Sequence, residues 1–137
     1  MKRGPFILDT GFLVALVNAA DPDHQACAQV WKEITGPFLS TEGVLVETAQ
    51  LVRKHRGGFA AAWRLLRSVG TIIAAPTNPR VDRAVELMAR YADVPMDLVD
   101  GTLVTLAEES GVLDVLTLDR RGFGAYRCGG KRFRVSP

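Results

Sequence analysis

The chain has 137 residues, 47% of them hydrophobic and 23% charged, with 13 Gly and 7 Pro, an ordinary globular composition at single-domain length that excludes disordered, collagen-like and low-complexity classes. Two cysteines, Cys27 and Cys128, are too few for a disulfide scaffold and stand in no zinc-binding spacing, so a reducing, cytoplasmic setting is expected. Seventeen Lys and Arg against 15 Asp and Glu leave a net charge of +2, and no apolar run approaches the ~20 residues of a membrane span.

Met1-Lys2-Arg3 before an apolar stretch has the outline of a secretory leader, but Asp9 interrupts that stretch and no leader is expected. Phe6-Ile7-Leu8 reads as a buried strand that stops at Asp9, and Phe12 to Ala20 as a short buried helix ended by Asp21-Pro22-Asp23. His24 to Ile34 has helical spacing, Gly36-Pro37 breaks it, and Phe38-Leu39-Ser40 is a second strand. Thr41 to Arg56 reads as one long helix, with Arg53, Lys54, His55 and Arg56 in its last turns, where they suit the helix dipole.

Phe59 to Val69 is a further helix, followed by a β-branched strand over Thr71 to Ala75. Pro79 to Ala92 and Leu98 to Ser110 are the last predicted helices. Asp114 to Leu118 is a fourth strand, ending at Asp119, and Arg132 to Val135 supplies a short fifth at the edge. This alternation predicts one α/β domain over 1–137, a parallel sheet covered by helices on both faces.

In such a sheet, ligands bind beyond the carboxyl ends of strands, and two strands here run into aspartate, at Asp9 and Asp119. Glu47 is a lone charge in the apolar stretch Val44 to Leu51, sharing a helix face with both of those residues. Asp97 and Asp100 stand three apart at a helix start. Each also has a structural reading: Asp9 and Asp119 as helix caps, Glu47 as an arginine's partner, Asp97 with Asp100 as a capping box.

Gathered in one crevice, Asp9, Glu47, Asp100 and Asp119 would repel by about 3 kcal/mol per pair at ~5 Å, which only protonation or cations relieve. Oxygen ligands without His or Cys favour Mg²⁺ or Mn²⁺, and that set suits phosphodiester hydrolysis. Setting the four aside leaves 17 basic residues against 11 acidic, a surround that attracts a polyanion. Arg120 and Arg121, beside Asp119, are the expected phosphate contacts at the rim. His24 and His55 read as helix-surface residues, and Trp31 and Trp63 as core or interface anchors.

From Phe6 to about Tyr126 the chain resembles the PIN-domain ribonucleases, in particular the VapC-type toxins of toxin–antitoxin pairs. The resemblance rests on Ile7-Leu8-Asp9-Thr10, on Leu45-Val46-Glu47, on Tyr91 to Asp100 with its Asp97-Leu-Val-Asp100, and on Leu116-Thr-Leu-Asp119-Arg-Arg-Gly-Phe123. It implies a 3-2-1-4-5 sheet, Mg²⁺ or Mn²⁺ held by Asp9, Glu47, Asp100 and Asp119, and endonucleolytic cleavage of RNA. Thr10 and Thr117 match hydroxyls that support those ligands, and Asp97 an often acidic position whose first role here is capping.

The resemblance further implies a homodimer and inhibition by an antitoxin whose tail crosses the groove. Gly101-Thr102 departs from the family, where alanine and a small residue are commoner, and glycine weakens a helix start by about 1 kcal/mol. Dehalogenase-like phosphatases would need an acid where Gly11 stands, and a Rossmann domain would need GxGxxG after the first strand. A receiver domain would need a central strand ending in aspartate, where Thr71–Ala75 ends in Ala-Pro. Two alternatives stay open: a catalytically silent module that binds RNA or protein, and a stand-alone RNA-processing nuclease.

Overall fold

Phe6–Leu8 has no polar side chain to offer to water on either face, and all three residues are buried. In the computed structural model, which describes residues 1–137, the strands are β1 (Lys2–Arg3), β2 (Phe6–Leu8), β3 (Ile34–Thr35), β4 (Phe38–Thr41), β5 (Ile72–Ala74), β6 (Asp114–Leu116), β7 (Arg127–Cys128), β8 (Lys131–Arg132) and β9 (Arg134–Ser136). The helices are α1 (Thr10–Val17), α2 (His24–Lys32), α3 (Glu42–Leu51), α4 (Gly58–Ser68), α5 (Asn78–Arg90), α6 (Leu98–Ser110) and α7 (Arg120–Ala125).

Five strands form one parallel sheet in the order β5-β4-β2-β6-β9, which among these five is third, second, first, fourth, fifth, as expected. Ile7 pairs with Leu39 on one side and Val115 on the other, at the centre of the core. Such strands are apolar without alternation because helices cover both faces. The chain leaves β2 towards β4 and later returns through α6 to β6 on the opposite side. That reversal opens a crevice outside the carboxyl ends of β2 and β6.

Several boundaries differ from the sequence reading. α1 stops at Val17 rather than Ala20, where the Asn18 N–H closes on the Val14 carbonyl. The helix expected over Thr41–Arg56 ends at Leu51, because tertiary anchors outweigh helix propensity there: Val52 is buried, and the His55 ring bonds the Val17 carbonyl at 3.2 Å. Arg53, Lys54 and Arg56 therefore lie in an exposed turn, not in a helix terminus.

Two small ladders were not expected. β1 runs parallel to β3, and β7 pairs with β8 through a turn in which Gly129 and Gly130 both have positive φ, a backbone that favours glycine. The helix-weakening Gly101 also finds its reason. A Cβ there would lie 3.1 Å from both the Cβ and the carbonyl oxygen of Ala84, so glycine is what lets α6 close on α5.

Candidate active site

Asp9 directly follows β2, while Thr117 and Asp119 follow β6, so adjacent strands deliver them to one crevice. Asp9 is only 8% exposed, and its Oδ1 accepts the Thr10 N–H at 2.7 Å while Oδ2 accepts the Thr117 hydroxyl at 2.6 Å. Thr117, itself buried, accepts the Asp119 N–H at 3.0 Å. One hydroxyl thus ties the carboxylate on one strand to the backbone leaving the next. Asp119 caps α7, its Oδ1 accepting the Gly122 N–H at 2.9 Å. Asp9 and Asp119 are therefore helix caps and crevice residues at once.

Asp97 and Asp100 form the capping box of α6, with the Asp100 N–H donating to Asp97 Oδ1 at 2.8 Å and the Asp97 N–H to Asp100 Oδ2 at 3.2 Å. The buried Tyr126 hydroxyl donates to that same Oδ2 at 3.2 Å. Glu47 sits half-buried on α3. The apolar face expected around it is only partly core: Val44 is buried, but Val46 and Leu51 are 67% and 62% exposed.

Burial is the main force raising the Asp9 carboxyl above the usual carboxylate range, opposed by the bonds from Thr117 and Thr10 and reinforced by the charges of Glu47 and Asp119. Asp100 is pushed up to about 7, first by burial, then by the charge of Asp97, with Asp9 adding to it. Asp9 thus links the five carboxylates, feeling Glu47 and Asp119 and acting with Asp97 on Asp100. No basic side chain pairs with any of them, since the ion pairs of the chain use Glu86, Glu108, Glu109 and Asp114 instead.

The donor set fits a hard divalent cation. It is all oxygen, it lacks a counter-charge, and the Thr10 hydroxyl beside Asp9 is buried without a hydrogen-bond partner. No three of the carboxylates close on a single point tightly enough to enclose an ion by themselves. Mg²⁺ commonly takes only one or two carboxylates, with water and substrate phosphate completing its shell.

Of the rim arginines, Arg120 donates to the Pro137 carbonyl, while Arg121 is exposed and engages no acceptor. His24 and His55 are spent elsewhere: their rings bond the carbonyls of Ala15 and Val17 at 2.8 and 3.2 Å and so finish the carboxyl end of α1.

Tyr126 is the residue sequence reasoning missed. It packs edge-on against Tyr91 and Phe123, with ring centroids 5.1 and 5.2 Å away, and a Cβ on Gly122 would collide with Asp119 and reach within 3.0 Å of the Tyr126 hydroxyl. Gly122 therefore leaves the space in which the phenol approaches both aspartates. The Gly-Phe-Gly run after Asp119 is the only trace of this in the sequence.

The PIN domain family model matches residues 6–127. The chain is 32% identical to Ribonuclease VapC26 of Mycobacterium tuberculosis, over 96% of this chain and 99% of that protein. It is 25% identical to the 23S rRNA-specific endonuclease VapC20 of the same organism, over 82% of this chain and 87% of the relative. The crystal structure of VapC20, described as a sarcin-ricin loop cleaving toxin, superposes with a TM-score of 0.77 at 23% identity, covering 93% of this chain and 98% of that one. The structure of VapBC2 from Rickettsia felis bound to a promoter DNA fragment has the same fold, with a TM-score of 0.65 at 14% identity and coverage of 98% and 100%.

Proposed function

Because the chain belongs to the PIN domain family, we propose that it is a metal-dependent endoribonuclease and the toxin of a toxin–antitoxin pair. One observation supports this most: Asp9 feels the charges of Glu47 and Asp119, Asp100 feels that of Asp9, and no cation of the protein's own pairs with any of the four. Curated relatives matched along most of the chain are ribonucleases, which supports the same reading.

Asp9, Asp100, Asp119 and Glu47 would hold Mg²⁺ or Mn²⁺. Bound there, the cation supplies Lewis acidity, lowering the pKa of water and offsetting charge on the scissile phosphate. The chain's own part is to keep the ligands ready. Thr117 and the Thr10 N–H hold Asp9 ionisable against its burial, and the capping box with Tyr126 fixes the direction of Asp100. Arg121, with Arg120 when it leaves Pro137, draws the RNA backbone to the rim.

The antitoxin partner is proposed by analogy with the VapBC complexes that share this fold. A homodimer is supported by the apolar groove at α3 and α6, where Val46, Leu51 and Leu98 are exposed beside Glu47. Free, buried thiols at Cys27 and Cys128 suit a reducing cytoplasm, and no helix is long and apolar enough to cross a membrane.

The test is cleavage of an RNA pool containing tRNA, ribosomal RNA and unstructured transcripts, with Mg²⁺ or Mn²⁺, with EDTA, and with Asp9→Asn protein. Metal-dependent cuts that vanish in Asp9→Asn are the expected result. Absence of both cutting and Mn²⁺ binding would overturn the enzymatic reading.

A further inference from the structure

From Thr48 to Val81 the chain contains no Asp or Glu, although 15 acids are spread over the rest. The same span carries Arg53, Lys54, Arg56, Arg64 and Arg67, all exposed and none in an ion pair. The structure gathers them in the turn after α3 and along α4, a span with no acid of its own on a chain whose net charge is only +2. α4 packs on α1 and α3, the helices that begin at Asp9 and carry Glu47. The His55 bond to Val17 further fastens the turn to the far end of α1, about 12 Å from Asp9 at 1.5 Å per residue.

An aromatic pair lies within this basic surface. Phe59 and Trp63 stack with centroids 6.4 Å apart and planes 19° apart, and Trp63 is 39% exposed. With Arg67 they recur every four residues along α4, so ring, ring and guanidinium line one helix face. Unpaired arginines attract any polyanion, but an exposed indole among them suits one whose units also present flat faces.

We propose that the α3–α4 turn and α4 form the surface on which the RNA substrate docks: Arg53, Lys54, Arg56, Arg64 and Arg67 track its phosphates and Trp63 stacks on an unpaired base. This rests on the ribonuclease reading and assigns its RNA-binding surface. This surface holds the strand while the crevice at Asp9 receives the scissile phosphate.

The experiment is the affinity of the metal-free, full chain for fluorescein-labelled oligouridylate, in EDTA and across a salt series, compared with Arg56→Glu/Arg64→Glu/Arg67→Glu and with Trp63→Ala. The triple variant is expected to bind roughly 10- to 100-fold more weakly, with the slope of log K against log salt reduced by about 0.7 for each phosphate that is no longer neutralised. Trp63→Ala should cost roughly tenfold with the slope unchanged, and Trp63→Phe should recover part of that. All three sites are exposed in the triple variant, and unchanged melting will show that it folds.

An unaltered affinity and slope in the triple variant would overturn the proposal. So would displacement of the RNA by polyglutamate at equal or lower charge concentration, which would assign the surface to an acidic protein segment instead. Because the assay needs no metal, the two readings fail separately: weakened binding in the variants alongside a wild type that never cuts RNA would leave the docking surface standing and remove the nuclease.

Discussion

Asp100→Asn is expected to stabilise the metal-free protein at pH 8 and to abolish its stabilisation by metal. In the fold the Asp100 carboxyl is raised from 3.8 to about 7, burial being the largest cause and Asp97 the next. A folded-state value above the unfolded one means that the native state binds the extra proton, so the contribution is whole below about pH 4 and is lost as pH rises through about 7. At 1.36 kcal/mol per pH unit the limit is about 4 kcal/mol, and screening by the water that reaches this half-buried group reduces it to on the order of 1–2 kcal/mol.

Asparagine keeps an oxygen for the Asp97 N–H and the Tyr126 hydroxyl but carries no charge. In thermal melts with EDTA it should exceed the wild type by roughly 3–8 °C at pH 8, and by little at pH 5. Saturating Mn²⁺ at pH 8 should then reverse the order, since a ligand at a hundred times its Kd adds about 2.7 kcal/mol to whichever protein binds it. If Asp100→Asn is the less stable protein at pH 8 by as much as at pH 5, the charge at that position is not frustrated and the reasoning fails.

Tyr126→Phe keeps the ring packing but removes the donor to Asp100, so Mn²⁺ affinity should fall about 10- to 100-fold in a titration while the melt changes little; an unchanged affinity would make the phenol a packing residue only. Gly101→Ala gains about 1 kcal/mol of helix propensity but sets a methyl 3.1 Å from the Ala84 carbonyl, and denaturant melts should show a net loss of about 1 kcal/mol. A gain would mean that α5 gives way. Thr117→Val removes a bond that lowers the Asp9 carboxyl, so the pH of half-maximal metal-induced stabilisation should move upward, and Thr117→Ser should restore it.

What was legible in the sequence was what local pattern determines. Unbroken apolar runs at Phe6–Leu8 and at Val115–Leu116 announced strands buried on both faces, and Asp97 three residues before Asp100 announced a capping box that forms as read. The misses are long-range. α3 stops early because Val52 and His55 are claimed by packing and bonding to the rest of the fold, a demand that propensity does not record. Tyr126 reaches Asp100 across 26 positions of sequence. The β7–β8 hairpin was readable in principle, since Gly129-Gly130 between two short strands is a turn signal.

The capping and catalytic readings of the aspartates stand as rivals in the sequence, yet the capping bonds in the structure do not exclude the proposed metal-binding role. A helix cap fixes one carboxylate oxygen against a backbone N–H; at Asp9 the other is taken by the Thr117 hydroxyl, while at Asp119 and Asp100 one oxygen stays without a protein donor. At Asp119 the Gly122 N–H takes Oδ1, and at Asp100 both protein bonds end on Oδ2. Ligands held this way lose little freedom when a cation binds, and the dipoles of α1, α6 and α7 soften a repulsion that no arginine neutralises. The repulsion that remains is the part a cation can relieve. It should therefore grow as the Asp100 carboxyl, raised to about 7, ionises, so metal affinity and metal-free instability should rise together between pH 5 and pH 8.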